Sequence, residues 1–241
     1  MRIIITENYE EMSFKATQIL ASQVILKPNS VLGLATGSTP EGMYKGLIKY
    51  YREKLIDFSL ITTINLDEYY GIKAENEQSY HYYMNKNLFS KININKKNIH
   101  IPLSQAKDIE KECKNYDHLI ESVGGIDLQV LGIGQNGHIG FNEPDIKFEA
   151  RTHLVNLDKS TIEANSRFFN DSHDVPKMAI SMGIKNIMQS KKIVLLASGI
   201  EKSEAIFQMV KGPITPNLPA SVLQLHPDVV LIIDKKAASK L

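Results

Sequence analysis

Residues 131–144 read LGIGQNGHIGFNEP and follow a run of apolar residues that begins at Ile126. The run first alternates and then becomes wholly apolar, which is typical of a buried parallel strand that opens into a loop. Four glycines within residues 132–140 leave few side chains in this loop, and the functional groups that remain are Asn136, His138, Asn142 and Glu143. Because open α/β sheets bind ligands just beyond the carboxyl ends of their strands, the stretch predicts an α/β fold with a candidate site at this point. Taken alone, the loop histidine also fits a purely structural or solvated role.

Apolar runs with strand-like patterns alternate with segments of helical spacing along the rest of the chain. Strands are predicted at residues 2–6, 31–35, 60–66, 126–133, 152–157, 176–182, 192–198 and 229–233. Helices are predicted at residues 7–26, 108–122, 158–169, 184–190 and up to residue 211, with another after residue 39. This alternation predicts an α/β fold with a doubly wound, mostly parallel sheet and helices on both faces, a Rossmann-like arrangement. With 241 residues, 43% of them hydrophobic, and no internal repeat, residues 1–241 are expected to form a single domain.

Composition argues against several classes of function. Lys and Arg number 28 against 27 Asp and Glu, so the net charge of +1 gives no electrostatic footprint for nucleic acid or an anionic membrane. The single cysteine, Cys113, cannot form an intrachain disulfide, which suits a reducing compartment. The N-terminal apolar run at residues 3–5 is too short for a signal peptide or membrane span. We therefore expect a cytoplasmic protein without a nucleic-acid or membrane partner.

A second candidate site is the loop TGSTPEGM at residues 36–43, which follows a predicted strand. Small residues, hydroxyl groups and an adjacent helix N-terminus together suit an anion, a phosphate above all. Thr39 is expected to cap the helix and Pro40 to occupy its first position. Simple helix capping remains an alternative, because the loop is neither a P-loop nor a dinucleotide-binding fingerprint.

Charged residues mark three further positions. Asp67 and Glu68 directly follow the predicted strand at residues 60–66, where a carboxylate either caps the next segment or acts as a general base tuned by burial. Arg167, near the end of a predicted helix, suits either the helix dipole or a phosphate oxygen. Lys202 lies at a predicted helix N-terminus, where a cation is disfavoured unless an anion accompanies it.

Four stretches together resemble glucosamine-6-phosphate deaminases: LATGSTP at residues 34–40, NLDEY at 65–69, GIGQNGHIGFNEP at 132–144 and ANSRFF at 164–169. They occur in the same order and with compatible spacing over nearly the whole chain. The resemblance implies conversion of D-glucosamine 6-phosphate and water to D-fructose 6-phosphate and ammonium, in the breakdown of amino sugars. It implies no cofactor and no metal, and no metal-ligand spacing is present in the sequence.

The resemblance also implies roles for individual residues. Asp67 would move the C2 proton of the sugar to C1, and His138 would assist ring opening with support from Glu143 and Asn136. The phosphate group would be held by Gly37, Ser38, Thr39, Arg167 and Lys202. Imidazole titrates near neutral pH, which suits ring opening, and a base must lie within about 3 Å of the proton that it removes.

The chain departs from some members of the family at two places. Asn136 stands where some members have Asp, and a neutral amide cannot carry the charge that a carboxylate would. The allosterically activated hexamers of the family have basic residues where this chain has His153 and Val155, and a longer C-terminal extension than one ending at Leu241. We therefore expect an unregulated enzyme with little cooperativity, a monomer or small homo-oligomer.

Two other functions are weighed against this one. A 6-phosphogluconolactonase would share the fold and a similar histidine loop, but it would not need a proton-abstracting base at residues 67–69. A non-catalytic sugar-phosphate sensor would be expected to carry a DNA-binding segment or a basic patch, and the sequence shows neither.

Overall fold

The computed structural model describes residues 1–158, 161–163 and 175–241. Its strands are β1 Arg2–Thr6, β2 Val31–Leu34, β3 Thr62–Asn65, β4 Asp67–Tyr69, β5 Ile99–His100, β6 Leu128–Leu131, β7 His153–Asn156, β8 Met178–Ser181, β9 Ile193–Ala197 and β10 Val229–Asp234. Its helices are α1 Tyr9–Leu26, α2 Glu41–Arg52, α3 Tyr80–Asn87, α4 Ile109–Ser122, α5 Ile184–Met188 and α6 Ser203–Lys211. Short 3-10 segments span Phe89–Lys91, Lys96–Asn98, Ile200–Lys202 and Pro219–Leu225.

Seven strands form a central sheet in the order β1-β10-β9-β6-β2-β3-β5, and every pairing in it is parallel. The chain places β2, β3 and β5 in succession toward one edge of the sheet, and it places β6, β9 and β10 in succession toward the opposite edge. Right-handed crossovers that run in opposite directions place their helices on opposite faces of the sheet. The predicted fold class, α/β with a mostly parallel, doubly wound sheet, is therefore confirmed.

The expectation of one sheet is corrected by a second, antiparallel sheet in the order β4-β8-β7. Asp67 therefore does not end β3 but starts a strand of its own. Leu66 is the junction, since its N–H donates to Leu34 in the central sheet and its carbonyl accepts from Met182, the residue directly after β8. The apolar run at residues 60–66 shows no break at this point, because periodicity reports burial and not the identity of the pairing strand.

The start of α2 also differs from the prediction. Its N-cap is Pro40, which has helical dihedral angles, and no side chain caps the helix, so the role expected of Thr39 as a cap is wrong. The N–H of Gly42 donates instead to the hydroxyl of Tyr9, which lies in α1, at 2.9 Å. A contact between two helices thus replaces the expected local cap.

The larger hydrophobic core runs from Met12 to Ala237 and surrounds the central sheet. A smaller cluster contains Tyr69, Phe141, Leu157 and Ala179 and packs beneath the second sheet and the histidine loop. In the part of the chain described here, none of the helices has the length and apolar character needed to cross a bilayer. Of the helix predicted at residues 158–169, residues 161–163 are helical, and Arg167 lies outside the described residues.

Candidate active site

The two glycine-rich loops leave neighbouring strands at the switch point of the central sheet. The loop that contains Gly37 follows β2, the loop that contains His138 follows β6, and β2 and β6 are paired in parallel. Ligands of doubly wound folds bind in the crevice where the strand order reverses. The topology therefore places both candidate loops at one crevice, whereas the sequence had predicted two separate candidate sites.

Asp67 lies beside the histidine loop. It pairs with Ser181 across the second sheet, and its Oδ2 is 3.6 Å from the position of a Cβ built on Gly140, two residues after His138. Only 6% of Asp67 is exposed. Burial, and to a smaller degree the charge of Glu68, raises the pKa of Asp67 from 3.8 to about 8. A carboxyl group in this environment has the properties of a base that works near neutral pH.

Glu68 points into a different environment, although it is the next residue in the chain. It is fully buried, and its carboxylate accepts hydrogen bonds from the N–H groups of Tyr69, Tyr80 and His81 at 2.8, 2.9 and 3.0 Å. The Nδ1 of His81 lies 3.0 Å from Oε2. Tyr80 and His81 are the first residues of α3, so Glu68, and not Asp67, is the carboxylate that bonds the start of this helix, next to its N-cap Ser79.

His138, Glu143 and Asn136 form a connected polar group. The Nδ1 of His138 lies 3.2 Å from Glu143 Oε2. Asn136 donates from Nδ2 to Glu143 Oε2 at 2.9 Å and accepts from the N–H of His138 at 3.2 Å. Burial raises the pKa of Glu143, but contacts with His138, Thr161 and Asn136 outweigh burial and lower this pKa below its ordinary value. Asn136 therefore orients its neighbours without a charge of its own.

Glycines allow the histidine loop to fold this tightly. Gly137 and Gly140 have φ of 86° and 58°, values that other residues rarely adopt. A Cβ on Gly134 would lie 2.4 Å from the imidazole of His138, so only glycine leaves room for the ring. The high glycine content that marked the stretch in the sequence thus has a direct steric reason.

A group of aromatic rings joins the stretches around Asp67. The ring centroid of Tyr80 lies 4.9 Å from that of Tyr69 and 6.1 Å from that of Phe141, onto which it stacks. The side chain of Tyr80 also lies beside that of Thr36 in the first glycine-rich loop. Tyr80 therefore connects the loop after β2, the strand of Asp67 and the histidine loop. The sequence showed only a polar region rich in Tyr and Asn, without a pattern that singles out this residue.

The candidate phosphate loop is held by tyrosine hydroxyls that bond its carbonyl groups. Tyr83 donates to the carbonyl of Gly37 at 2.6 Å, and Tyr9 donates to that of Ser38 at 3.0 Å. Gly37 has φ of 90°, and across the described ranges the N–H groups of Gly37, Ser38 and Thr39 have no protein acceptor. Backbone N–H groups arranged in this way are suited to an anion.

Lys202 is the N-cap of α6, as predicted, and follows β9, which pairs with β6. Its approach to the Gly37 loop stays a prediction, as does that of Arg167, which is outside the described residues. Within residues 1–158, 161–163 and 175–241, no three His, Cys, Asp or Glu side chains are grouped to hold a metal ion.

Comparison with known proteins identifies the family of the chain. The family described as "Glucosamine-6-phosphate isomerases/6-phosphogluconolactonase" matches residues 9–231. The chain belongs to this family. Among its curated members, glucosamine-6-phosphate deaminases of Clostridium botulinum and Clostridium acetobutylicum are each 63% identical over 241 residues, which is the full length of this chain and 99% and 100% of theirs. The predicted resemblance is thereby confirmed.

Solved structures from the family agree with the fold described above. A monomeric glucosamine-6-phosphate deaminase superposes with a TM-score of 0.98 at 46% identity and covers 100% of both chains. A 6-phosphogluconolactonase from Trypanosoma brucei superposes with a TM-score of 0.80 at 16% identity over 100% of this chain and 98% of its own. The second likeness shows that the two activities share one fold, so the side chains of the site must distinguish them.

Proposed function

We propose that the chain is an enzyme that converts D-glucosamine 6-phosphate and water to D-fructose 6-phosphate and ammonium. The observation that carries this proposal is the placement of a buried carboxyl, Asp67, beside the loop of His138 and Glu143, in a chain 63% identical over its full length to glucosamine-6-phosphate deaminases. The reaction needs one group to move a proton between adjacent carbons and another to open the sugar ring. The site contains a candidate for each task.

Asp67 is proposed as the base that takes the C2 proton and returns it to C1. Its pKa of about 8 makes it a stronger base than an exposed carboxylate, and it remains able to hold the proton between the two steps. The carboxyl is confined by Ser181 on the neighbouring strand and by Gly140 on the loop. A single carboxyl held in this way can serve both carbons, because C1 and C2 are bonded to each other.

His138 is proposed to move the proton from the C1 hydroxyl to the ring oxygen when the ring opens. The low pKa of Glu143 keeps this carboxylate charged beside the imidazole, and a charged neighbour orients the ring. Asn136 holds Glu143 in place through a hydrogen bond. A neutral residue at this position is sufficient for such a role.

The phosphate group is proposed to lie on Gly37, Ser38 and Thr39, with Arg167 and Lys202 as its cationic partners. The supporting observation is the set of backbone N–H groups in this loop that lack a protein acceptor in the described structure. The phosphate is remote from the reacting carbons, so its binding positions the sugar and performs no chemistry.

Replacing Lys202 with alanine tests the cationic partner. We expect KM for glucosamine 6-phosphate to rise about tenfold or more, with a smaller change in kcat, because hydrogen bonds to charged groups contribute about 1.5 to 3 kcal/mol. Lys211→Ala, at the other end of the same helix, is the matched control and should leave KM unchanged. An equal loss with unphosphorylated glucosamine would count against the contact with phosphate.

The reaction itself is tested with purified protein in the presence of a chelator. Ammonium and fructose 6-phosphate should form from glucosamine 6-phosphate in equal amounts, while 6-phosphogluconolactone is not hydrolysed. Hydrolysis of the lactone without ammonium release would instead assign the chain to the other activity of its family.

We further propose that residues 1–241 form one sugar-phosphate isomerase/deaminase domain that acts as a monomer in the cytoplasm, without cofactor or metal. The core cluster that runs from Met12 to Ala237 supports one domain, and the monomeric deaminase with a TM-score of 0.98 supports a monomer. His153 and Val155 support the absence of allosteric control. Substrate saturation should be hyperbolic, and a sigmoidal curve that N-acetylglucosamine 6-phosphate makes hyperbolic would contradict this part of the proposal.

A further inference from the structure

Glu68 is a buried carboxylate without a role in the proposed chemistry. It is 0% exposed, and its two oxygens accept from three backbone N–H groups and approach the His81 imidazole. Two of these N–H groups belong to the first two residues of α3, while Ser79 caps the third at Tyr82. The first turn of α3 is therefore held on β4 by one side chain.

The same contact fixes the position of Tyr80. Its N–H is bonded to Glu68, its ring packs on Tyr69 and Phe141, and its side chain lies beside that of Thr36. Glu68 thus acts on the wall of the crevice, although its carboxylate does not face the crevice. Loss of this anchor would loosen the connection between the Asp67 strand and the loop after β2.

Glu68 is also the neighbouring charge that acts most directly on Asp67. The titratable groups around these two carboxyls are Tyr69 on β4, Tyr80 and His81 on α3, and Tyr116 on α4. Burial raises the pKa of Tyr69 to about 12 and that of Tyr80 and Tyr116 well above the ordinary value, so all three are neutral at physiological pH. Among the described residues, Glu68 is the one whose charge disfavours ionisation of Asp67.

We propose that Glu68 is a positioning residue for the Asp67 base: it anchors the first turn of α3, with Tyr80, beside the base and keeps its own carboxyl group next to it. His81 also contributes to this arrangement, because its Nδ1 lies 3.0 Å from Glu68 Oε2. The inference rests on the proposed function, in which Asp67 takes up a proton. It extends that function by assigning a reason for the second carboxylate of the pair, namely to keep Asp67 a strong base.

Glu68→Gln tests the proposal because the amide has nearly the same size and no charge. Protein with 13Cγ-labelled aspartate is titrated by NMR, and the Asp67 signal is identified by its absence in Asp67→Asn. The midpoint should lie near 8 in the unaltered protein and lower by about one unit or more in Glu68→Gln. The acid limb of kcat/KM against pH should move down by the same amount, with little change in KM.

Two further variants separate charge from packing. Glu68→Asp keeps the charge but shortens the side chain, so it should keep a raised midpoint even where α3 is weakened. Asp117→Asn removes another buried carboxylate, whose Oδ1 accepts from Thr152 and Asn186, and should leave the Asp67 midpoint unchanged. If Glu68→Gln does not fold, Glu68→Asp still decides, since a midpoint near that of a free aspartate would overturn the proposal.

An unchanged midpoint in folded Glu68→Gln, or an equal fall in Glu68→Gln and Asp117→Asn, would also overturn it. The NMR measurement needs no substrate. Absence of ammonium release by the unaltered protein would therefore contradict the proposed function. The titration midpoints of Asp67 would still decide the role of Glu68.

Discussion

Asp67→Asn is expected to lower the rate of deamination by about a thousandfold or more while making the folded protein more stable at neutral and alkaline pH. A neutral amide cannot take the C2 proton, and a positioned general base contributes about 10² to 10⁴ in rate. Substrate binding should change little, because the phosphate contacts lie elsewhere. The stabilisation follows from burial, since the variant no longer has to hold a carboxylate in a site with 6% exposure.

The sign of the pH dependence follows from the raised pKa of Asp67. Between pH 3.8 and about 8, the unfolded chain has released the Asp67 proton and the folded protein retains it. The folded state therefore binds more protons, and its stability falls as pH rises through this window. The shift corresponds to an upper limit of about 6 kcal/mol, which structural relaxation and water entry reduce to a few kcal/mol.

Denaturant unfolding of both proteins from pH 4 to pH 9 measures this effect. The stability of Asp67→Asn relative to the unaltered protein should grow with pH up to about 8 and vanish near pH 4. Asp117→Asn is the matched control, because it removes a buried carboxylate that accepts hydrogen bonds from Thr152 and Asn186, and it should destabilise the protein. A destabilised Asp67→Asn at pH 8 would contradict the assignment of a raised pKa to Asp67.

Gly183→Ala is expected to cause the largest loss of stability among single methyl additions near the site. A Cβ on Gly183 would lie 2.3 Å from the carbonyl oxygen of Arg151 and 2.4 Å from that of Ala150. The carbonyls of Glu149 and Ala150 accept from the first N–H groups of α5, at Ile184 and Lys185, so they cannot move away without uncapping that helix. We expect a loss of about 3 kcal/mol and a fall in Tm of about 6 to 12 °C.

Gly132→Ala is the matched control for this variant. No atom lies within 4 Å of a Cβ built on Gly132, and its φ is not positive, so the substitution should change the free energy of unfolding by less than about 1 kcal/mol. Differential scanning calorimetry of the three proteins compares them directly. Equal Tm values for Gly183→Ala and the unaltered protein would show that the 149–151 segment yields to the added methyl group.

Several parts of the site could be predicted from local sequence because their causes are local. The glycines around His138 are needed where the chain bends and where the ring packs. Glu143 reaches the imidazole, and Asn136 bonds Glu143, from within the same short loop. Apolar runs likewise predicted every strand of the central sheet except β5, since strands that are buried on both faces are apolar along their length. The family resemblance added roles to these residues, and these roles await the experiments above.

Other parts depend on partners that are distant in the chain. The division of residues 60–69 between two sheets is decided by bonds of Leu66 to Leu34 and Met182. Asp67 and Glu68 have different environments because α3, which begins twelve residues after Glu68, packs against this strand. The first N–H groups of α3 bond the carboxylate of Glu68, whereas the carboxyl of Asp67 lies beside Gly140. Two adjacent acidic residues look alike in the sequence.

By itself, then, the sequence predicted eight of the ten strands, the glycine-rich loops and the residues able to carry the chemistry, because backbone conformation and amphipathic period are properties of short segments. Only the tertiary structure decided which carboxyl lies beside Gly140 and which one bonds the first turn of α3. It also decided that Tyr80 joins Thr36 to the Asp67 strand. Burial and charge are set by what packs around a side chain, and those neighbours come from all along the chain.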